Sequence, residues 1–267
     1  MKKYIKANGQ TLACIDQGEG SPLILLHAFA LGKWMWEEQV SFFSGKRRVI
    51  SLDWRGFGES SPVEGTITME DLADDLMSVI SFLELDSFDL CGLSMGGYAA
   101  FAFARKYPQE FASRVHRLIL ADTKATIEND AGRLARLEMA ALAENSGSKA
   151  IADISVPKWL SDKTKTSRPE VMEKVSAEIS RTSNFAIAAA QRGMAQRADS
   201  TEILGRIACP SLLIVGSDDV LTPPEEARTM AHHLSVSTLE IIEGAGHLSN
   251  LESPEDFNAI VGKWLEQ

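Results

Sequence analysis

Residues 88–107 constrain the fold of this chain more than any other stretch. Phe88–Leu93 is a short, largely apolar run that reads as a buried strand, and Tyr98–Tyr107 is an Ala- and Phe-rich run that reads as a helix. Between them sits Gly92-x-Ser94-x-Gly96. A strand that turns at once into a helix around a serine needs small residues two before and two after it, because the flanking backbones approach closely. Such a turn strains the serine and lifts its hydroxyl above the sheet, at a helix N-terminus that favours negative charge. The pattern is that of a nucleophile elbow. A Gly-rich strand–helix turn with an incidental serine is the alternative, and the rest of the chain has to decide between them.

The flanking segments extend the same alternation. Residues 2–7 and 10–16 read as two strands joined at Asn8-Gly9, a strong hairpin signal. Leu23–His27 and Arg48–Leu52 are apolar runs suited to strands buried on both faces, and residues 34–43 between them read as helical. In 68–84, Met69, Leu72, Leu76, Val79, Ile80 and Leu83 recur at steps of three and four, with Thr68 and Asp71 as a start signal. A strand at 115–121 follows a helix that Pro108 is expected to stop. Strands at 211–216 and 238–242 alternate with helices at 224–234 and 254–265. Short connections between apolar strands and amphipathic helices demand a mostly parallel central sheet with helices on both faces.

The alternation lapses between about Ala125 and Asp199, where helical stretches are expected at 128–145, 147–154, 169–181 and 183–195. Residues 126–199 therefore read as a helical insertion after the sixth strand, within one domain made of 1–125 and 200–267. The formal net charge of −10 argues against nucleic acid or an anionic membrane as partner, since both need a basic face. The charged start Met1–Lys6 has no apolar run behind it, so no signal peptide is expected there. Cys14, Cys91 and Cys209 are far apart, odd in number and set in or beside strand-like runs. They read as free thiols of a cytoplasmic protein, monomer or homodimer. No Cys or His pair has metal-ligand spacing, so no metal and no cofactor are expected, and His232-His233 reads as surface.

Ligands of an open parallel sheet bind beyond the carboxyl ends of its strands. The residues that follow the expected strands are His27-Ala28-Phe29, Asp53, Ser94, Asp122, Gly216-Ser217-Asp218-Asp219 and Gly244-Ala245-Gly246-His247. A serine, an acid and a histidine thus share one rim. A serine hydroxyl is a weak nucleophile and needs a base, which neutral imidazole supplies near pH 7. An acid then holds the imidazole in the right tautomer and stabilises its cation. His27 and His247 are the two histidines just past strands, and His247 lies in a Gly-rich turn that frees its ring. Asp218 and Asp219 compete for the acid role. Asp122 is a minor alternative, and Asp53 reads as an acceptor for the backbone of its own Gly-rich loop.

With these motifs in place, the chain resembles the α/β-hydrolase fold over nearly its whole length. The matching pieces are His27-Ala28-Phe29, Asp53-Trp54-Arg55-Gly56-Phe57-Gly58-Glu59-Ser60, the elbow, Gly216–Asp219 and Gly244–His247, in the right order. The resemblance implies Ser94 as nucleophile, His247 as base and Asp219 rather than Asp218 as acid. It also implies the backbone N–H groups of Met95 and Phe29 as oxyanion hole, and the insertion as a helical cap. Ala28 replaces the family's common glycine, which loosens the assignment of Phe29. A serine at the elbow argues against haloalkane dehalogenase or epoxide hydrolase activity, because relatives with those activities use aspartate there.

Within the family, His27–Gly32 with Trp36, Leu118–Ala125 and Gly193–Asp199 are similar to 3-oxoadipate enol-lactonase-like esterases. The implied activity is a serine carboxylic-ester hydrolase, esterase or lactonase, acting on a small ester or lactone. Cofactor-free perhydrolysis or haloperoxidase-like activity would use the same triad. A triad-retaining ligand receptor is the reading from another class. Ala28, Phe29, Trp34, Met95, Leu221 and Leu248 are expected around the substrate pocket, with Trp34 or Trp36 a candidate for core packing. A lactonase for an acidic lactone calls for cations there, and Arg133, Arg136, Arg181, Arg192 and Arg197 of the insertion are the candidates.

Overall fold

A strand that is apolar on both faces needs cover on both. The computed structural model, which describes residues 1–266, meets that need with one sheet between two helical layers. Gln267, the last residue expected in the core, lies outside the described residues. The strands are β1 (Lys2–Ala7), β2 (Gln10–Gln17), β3 (Pro22–Leu26), β4 (Arg48–Leu52), β5 (Phe88–Leu93), β6 (Val115–Ala121), β7 (Ser211–Gly216) and β8 (Ser237–Ile242). Among the described residues they form a sheet of eight, in the order β1-β2-β4-β3-β5-β6-β7-β8. β1 and β2 run antiparallel to their neighbours, and every pairing from β4 to β8 is parallel. β5 and β7 are buried at every position, whereas the edge strand β8 is largely open to solvent. The Asn8-Gly9 turn places both residues at positive φ (49° and 78°), as a two-residue hairpin of this hand requires.

The helices are α1 (Glu37–Phe43), α2 (Met69–Phe82), α3 (Met95–Lys106), α4 (Pro108–Arg114), α5 (Asp130–Trp159) and α6 (Asp162–Ser167), followed by α7 (Pro169–Arg181), α8 (Asn184–Gln196), α9 (Thr201–Leu204), α10 (Pro224–His233), α11 (Ser249–Glu252) and α12 (Pro254–Leu265). The chain steps outward from β3 to β4 and then crosses back past β3 to β5. Right-handed crossovers in opposite directions put their helices on opposite faces. Accordingly α1 packs with α12 on one face, while α2, α3, α9 and α10 form a contiguous layer on the other. Strand order reverses at β3, so a crevice opens beyond the ends of β3 and β5, where His27–Phe29 and Ser94 lie. α2 begins with a capping box: Thr68 Oγ1 accepts from the Asp71 amide at 3.0 Å, and Asp71 Oδ2 accepts from the Thr68 amide at 2.8 Å.

Some local expectations are corrected. Pro108 does not simply end a helix; it opens α4 at the first helical position, where its missing N–H is no loss. The helix expected over 34–43 starts as a 3₁₀ turn, Lys33–Trp36, before α1. The stretches expected at 128–145 and 147–154 join into α5, interrupted at Gly147 (φ 81°) and running on past Pro157 to Trp159. α6, rich in Lys, Thr and Ser, carries no apolar period that would announce it, and is started by the Ser161 hydroxyl accepting from the Thr164 amide. Cys14 and Cys91 are buried and Cys209 is half-buried, all as free thiols, and no helix is long and apolar enough to cross a membrane among the described residues.

Candidate active site

Ser94 leaves β5 as the N-cap of α3 with φ 52° and ψ −111°, a left-handed conformation that is costly for any residue with a Cβ. Its neighbours explain how it is held. A Cβ on Gly92 would sit 2.5 Å from the Gly96 backbone, and one on Gly96 would sit 2.2 Å from the Leu26 carbonyl oxygen. The strand, the turn and β3 therefore meet only because both positions lack a side chain. The Ser94 amide donates to the Ala121 carbonyl (3.0 Å), and Thr123 Oγ1 donates to the Ser94 carbonyl (2.9 Å).

The structure brings Ser94, His247 and Asp219 together from the ends of β5, β8 and β7. His247 Nε2 lies 2.9 Å from Ser94 Oγ, and His247 Nδ1 lies 2.8 Å from Asp219 Oδ2. Asp219 Oδ1 accepts from the amides of Leu221 (2.8 Å) and Thr222 (3.0 Å), and Oδ2 accepts from Thr222 Oγ1 (2.6 Å). The exposures of Ser94, Asp219 and His247 are 8%, 2% and 6%, so the chain of hydrogen bonds is nearly dry. Burial opposes the His247 imidazolium, but the adjacent Asp219 carboxylate and its hydrogen bond outweigh it and hold the pKa above the usual histidine value. Burial likewise pushes the Asp219 carboxyl up, yet His247 and Thr222 bring it below the ordinary aspartate value. Asp218 is exposed, and its carboxylate accepts from Ser217 Oγ (2.9 Å).

The other strand-end groups are committed elsewhere. His27 Nδ1 faces its neighbour's Ala28 carbonyl at 2.8 Å, and its Nε2 accepts from the Trp54 amide at 3.0 Å. These two contacts require one neutral tautomer, and burial pushes the pKa down to about 4. Asp53 accepts from the amides of Lys33 (2.7 Å) and Glu59 (2.9 Å) and pairs with Lys33 Nζ, so it fastens its own loop and the loop after β3. Asp122 is fully buried and accepts from Gly216 and Ser249.

Because His27 draws the Ala28 carbonyl inward, the other side of that trans peptide, the Phe29 N–H, points the opposite way. Among the described residues neither the Phe29 nor the Met95 amide donates to a group of the chain. Ala28, Phe29 and Ser94 line a cleft of about 440 Å³ that also holds His247, Leu221 and Leu248. Its roof comes from the insertion: Met139, Ile154 and Trp159 of α5 and Met194 of α8. Trp159 stands edge-on to Phe29, with ring centroids 6.2 Å apart.

Trp34 is not in this cleft. The 3₁₀ turn directs Met35 and Trp36 into the core, where Trp36 packs on Phe257, and leaves Trp34 facing a separate depression with Lys174 Nζ 5.2 Å above its ring. The Met95 side chain is fully buried and also absent from the cleft wall. Of the five candidate arginines, Arg136 lines the cleft. Arg133 donates to the Ala195 carbonyl, Arg181 and Arg192 pair with Glu178 and Glu144, and Arg197 is buried with its guanidinium 4.2 Å from the Tyr98 ring centroid.

Sequence reasoning missed the charged wall beside Arg136. Lys124, Glu128, Lys158, Tyr98 and Gln191 all line the cleft. Glu128 Oε1 meets Arg136 Nη2 at 2.5 Å and Lys124 Nζ at 4.0 Å, and its Oε2 is 3.5 Å from Arg197. Burial pushes the Glu128 carboxyl up, but these three cations together hold it below its usual value. Glu128 and Lys124 sit in the connection between β6 and α5, a segment whose sequence has no period to read.

Comparison with known proteins agrees with this architecture. A family profile described as alpha/beta hydrolase fold matches residues 21–254. The chain is 31% identical to 3-oxoadipate enol-lactonase 2 of Acinetobacter baylyi over 249 residues, covering 93% of this chain and 90% of that protein. Among solved structures, a thermophilic esterase from Thermogutta terrifontis in a malate-bound form superposes with a TM-score of 0.94 at 38% identity, covering 100% of this chain and 98% of the other. The enol-lactonase from Burkholderia xenovorans LB400 superposes with a TM-score of 0.91 at 27% identity, covering 99% and 100%. An eight-stranded sheet among the described residues with this strand order, a serine on a strained strand–helix turn and a match across most of the sequence lead to one assignment. The chain belongs to the alpha/beta hydrolase fold family.

Proposed function

We propose that the protein hydrolyses carboxylic esters, lactones among them, through an acyl-serine, and that its substrate carries a carboxylate. The observation that carries this reading is the buried hydrogen-bonded series Ser94–His247–Asp219. His247 Nε2 takes the proton of Ser94 Oγ as the oxygen attacks the ester carbonyl. Asp219 holds the Nδ1–H tautomer and stabilises the imidazolium. The Phe29 and Met95 amides, with no acceptor among the described residues, receive the oxyanion. His247 then protonates the leaving alcohol, and water repeats the sequence on the acyl-serine with the same base. Atoms balance with substrate and water alone.

The cleft wall supports the acidic substrate. In a chain of net charge −10, Lys124, Arg136 and Lys158 face the cleft, Arg197 stands behind them, and Glu128 is the carboxylate set among them. Such a local excess of positive charge attracts an anion from solution and orients it. The relatives named as enol-lactonase and the malate-bound esterase support an ester or lactone as the substrate class. Ser94→Ala is expected to lower kcat on p-nitrophenyl acetate by on the order of 10⁶, as loss of a triad serine does; turnover at the wild-type rate would overturn the assignment.

A further inference from the structure

Asp122 takes no part in the mechanism above, yet it is fully buried and adopts a left-handed φ of 43° without being glycine. Both features cost free energy, the first through desolvation and the second through backbone strain. The hydrogen bonds that its carboxyl accepts oppose the first cost without cancelling it: burial and the nearby Asp219 still push its pKa well above the ordinary aspartate value. Oδ1 accepts from the Gly216 amide at 2.9 Å, and Oδ2 accepts from the Ser249 amide at 3.2 Å and from the Ser249 hydroxyl at 2.5 Å. Gly216 opens the acid turn, and its carbonyl receives the Asp219 amide (3.2 Å). Ser249 is two residues past His247. The flanking residues hold the nucleophile: the Ala121 carbonyl accepts from the Ser94 amide, and Thr123 Oγ1 donates to the Ser94 carbonyl. The tripeptide 121–123 thus touches all three loops that carry Ser94, Asp219 and His247.

We infer that Asp122 is a positioning residue for acyl transfer: its carboxylate fixes the acid turn and the histidine loop relative to the elbow held by Ala121 and Thr123. The inference rests on the reading of Ser94, His247 and Asp219 as the reacting groups. Asp122 itself touches neither substrate nor the reacting atoms. Its effect is on the register of three loops whose tips must meet within hydrogen-bond distance, and a misplacement of about 1 Å in such a site costs on the order of 10²-fold in rate. Other contacts also hold the histidine loop, namely the Trp159 carbonyl accepting from the His247 amide (2.7 Å) and Glu252 Oε1 accepting from the Gly246 amide (2.9 Å). Loss of Asp122 therefore shifts the loop rather than releasing it.

The test is Asp122→Asn, in which one arm of the side chain becomes a donor and leaves either the Gly216 or the Ser249 amide without its acceptor. Wild type is first labelled with a fluorophosphonate probe. Failure to label Ser94 would sink the catalytic reading itself, before any variant is made. With Ser94 labelled, Asp122→Asn is expected to lower both the labelling rate and kcat per titrated site by about 10²-fold, while KM for p-nitrophenyl acetate stays within about twofold. Ser249→Ala, which removes only the hydroxyl, is expected to lower kcat by about tenfold at constant KM. It also serves as the deciding variant if Asp122→Asn does not fold. The double variant should be no slower than Asp122→Asn alone, since both act on one contact. A lower Tm with unchanged kcat per titrated site, in whichever variant folds, would reduce Asp122 to a structural residue and overturn the inference.

Discussion

The loop after β3 and the loop after β8 each bury a histidine at the rim of the same sheet, and the two rings behave in opposite ways. His27 has backbone partners on both nitrogens, Ala28 and Trp54, and burial drives its pKa down to about 4. His247 has Ser94 on one nitrogen and the Asp219 carboxylate on the other, and the carboxylate lifts its pKa in spite of the burial. Burial alone makes a histidine inert, whereas a buried counter-ion makes it a base that can hold the proton it takes. The neutral His27 has a separate use: its fixed tautomer sets the Ala28 peptide and so the direction of the Phe29 N–H.

The contrast is tested hardest at the counter-ion. Asp219→Asn removes the charge and, through its amide, permits the wrong His247 tautomer; kcat is expected to fall by about 10⁴-fold. Asp218→Asn, on an exposed side chain, is expected to change kcat by less than about twofold. Equal losses in steady-state kinetics of the two variants would break the distinction. His27 is tested through stability. Between pH 6.5 and about 4 the unfolded chain binds a proton on this residue that the folded chain refuses, so stability falls as the pH falls through that window, by about 3 kcal/mol in all. His27→Gln removes that component. The variant should be less stable at pH 7.5, because the Ala28 carbonyl loses the Nδ1–H that donates to it, but should lose less on acidification. Urea unfolding from pH 7.5 to 4 measures both; a slope as steep as that of wild type would refute the neutral, buried assignment.

The sheet and the meeting of Ser94, His247 and Asp219 at its rim were legible because they follow from local rules. Apolar runs such as Leu23–Leu26 and Leu212–Val215 permit only a covered strand, and the elbow glycines are required by backbone contacts at 2.5 Å and less. The position of Trp34 was not legible. A helical period and a 3₁₀ turn place the same residue on different sides, and the choice between them is made by tertiary packing of Met35 and Trp36. The charged cleft wall was legible only in part. Arg136 could be nominated by type, but Lys124 and Glu128 lie in a connection with no period, and the meeting of Glu128 with Arg197 joins residues distant in sequence.

That wall gives the next smaller effect. Arg136→Met removes a cation that lines the cleft while keeping an unbranched side chain. The ratio of kcat/KM for a monoester of a short dicarboxylic acid to that for the neutral ester of equal length is expected to fall about tenfold, the value of one charge-assisted hydrogen bond. Glu128→Gln should move the ratio the other way, since it removes the anion that competes for the same cations. A ratio near one in wild type, unmoved by either change, would separate the charged wall from substrate choice and leave the rim chemistry standing alone.

The smallest effect is the most specific to the comparison. In the proposed mechanism His247 acts as a base only while neutral, and Asp219, which favours the imidazolium more than burial opposes it, holds its pKa above the usual histidine value. The acid limb of kcat/KM, which reports the free enzyme, should therefore have its midpoint above 6.5, and activity at pH 6.5 should be less than half of the plateau. A midpoint at or below 6.5 would mean that burial wins at His247 as it does at His27. The same shift acts on stability with the opposite sense to its effect on rate. The His247–Asp219 interaction contributes fully below pH 6.5 and is lost as the pH rises through the folded pKa. In the range where His247 is neutral the ion pair no longer stabilises the fold, and in the proposed mechanism it re-forms only when His247 takes the proton of Ser94.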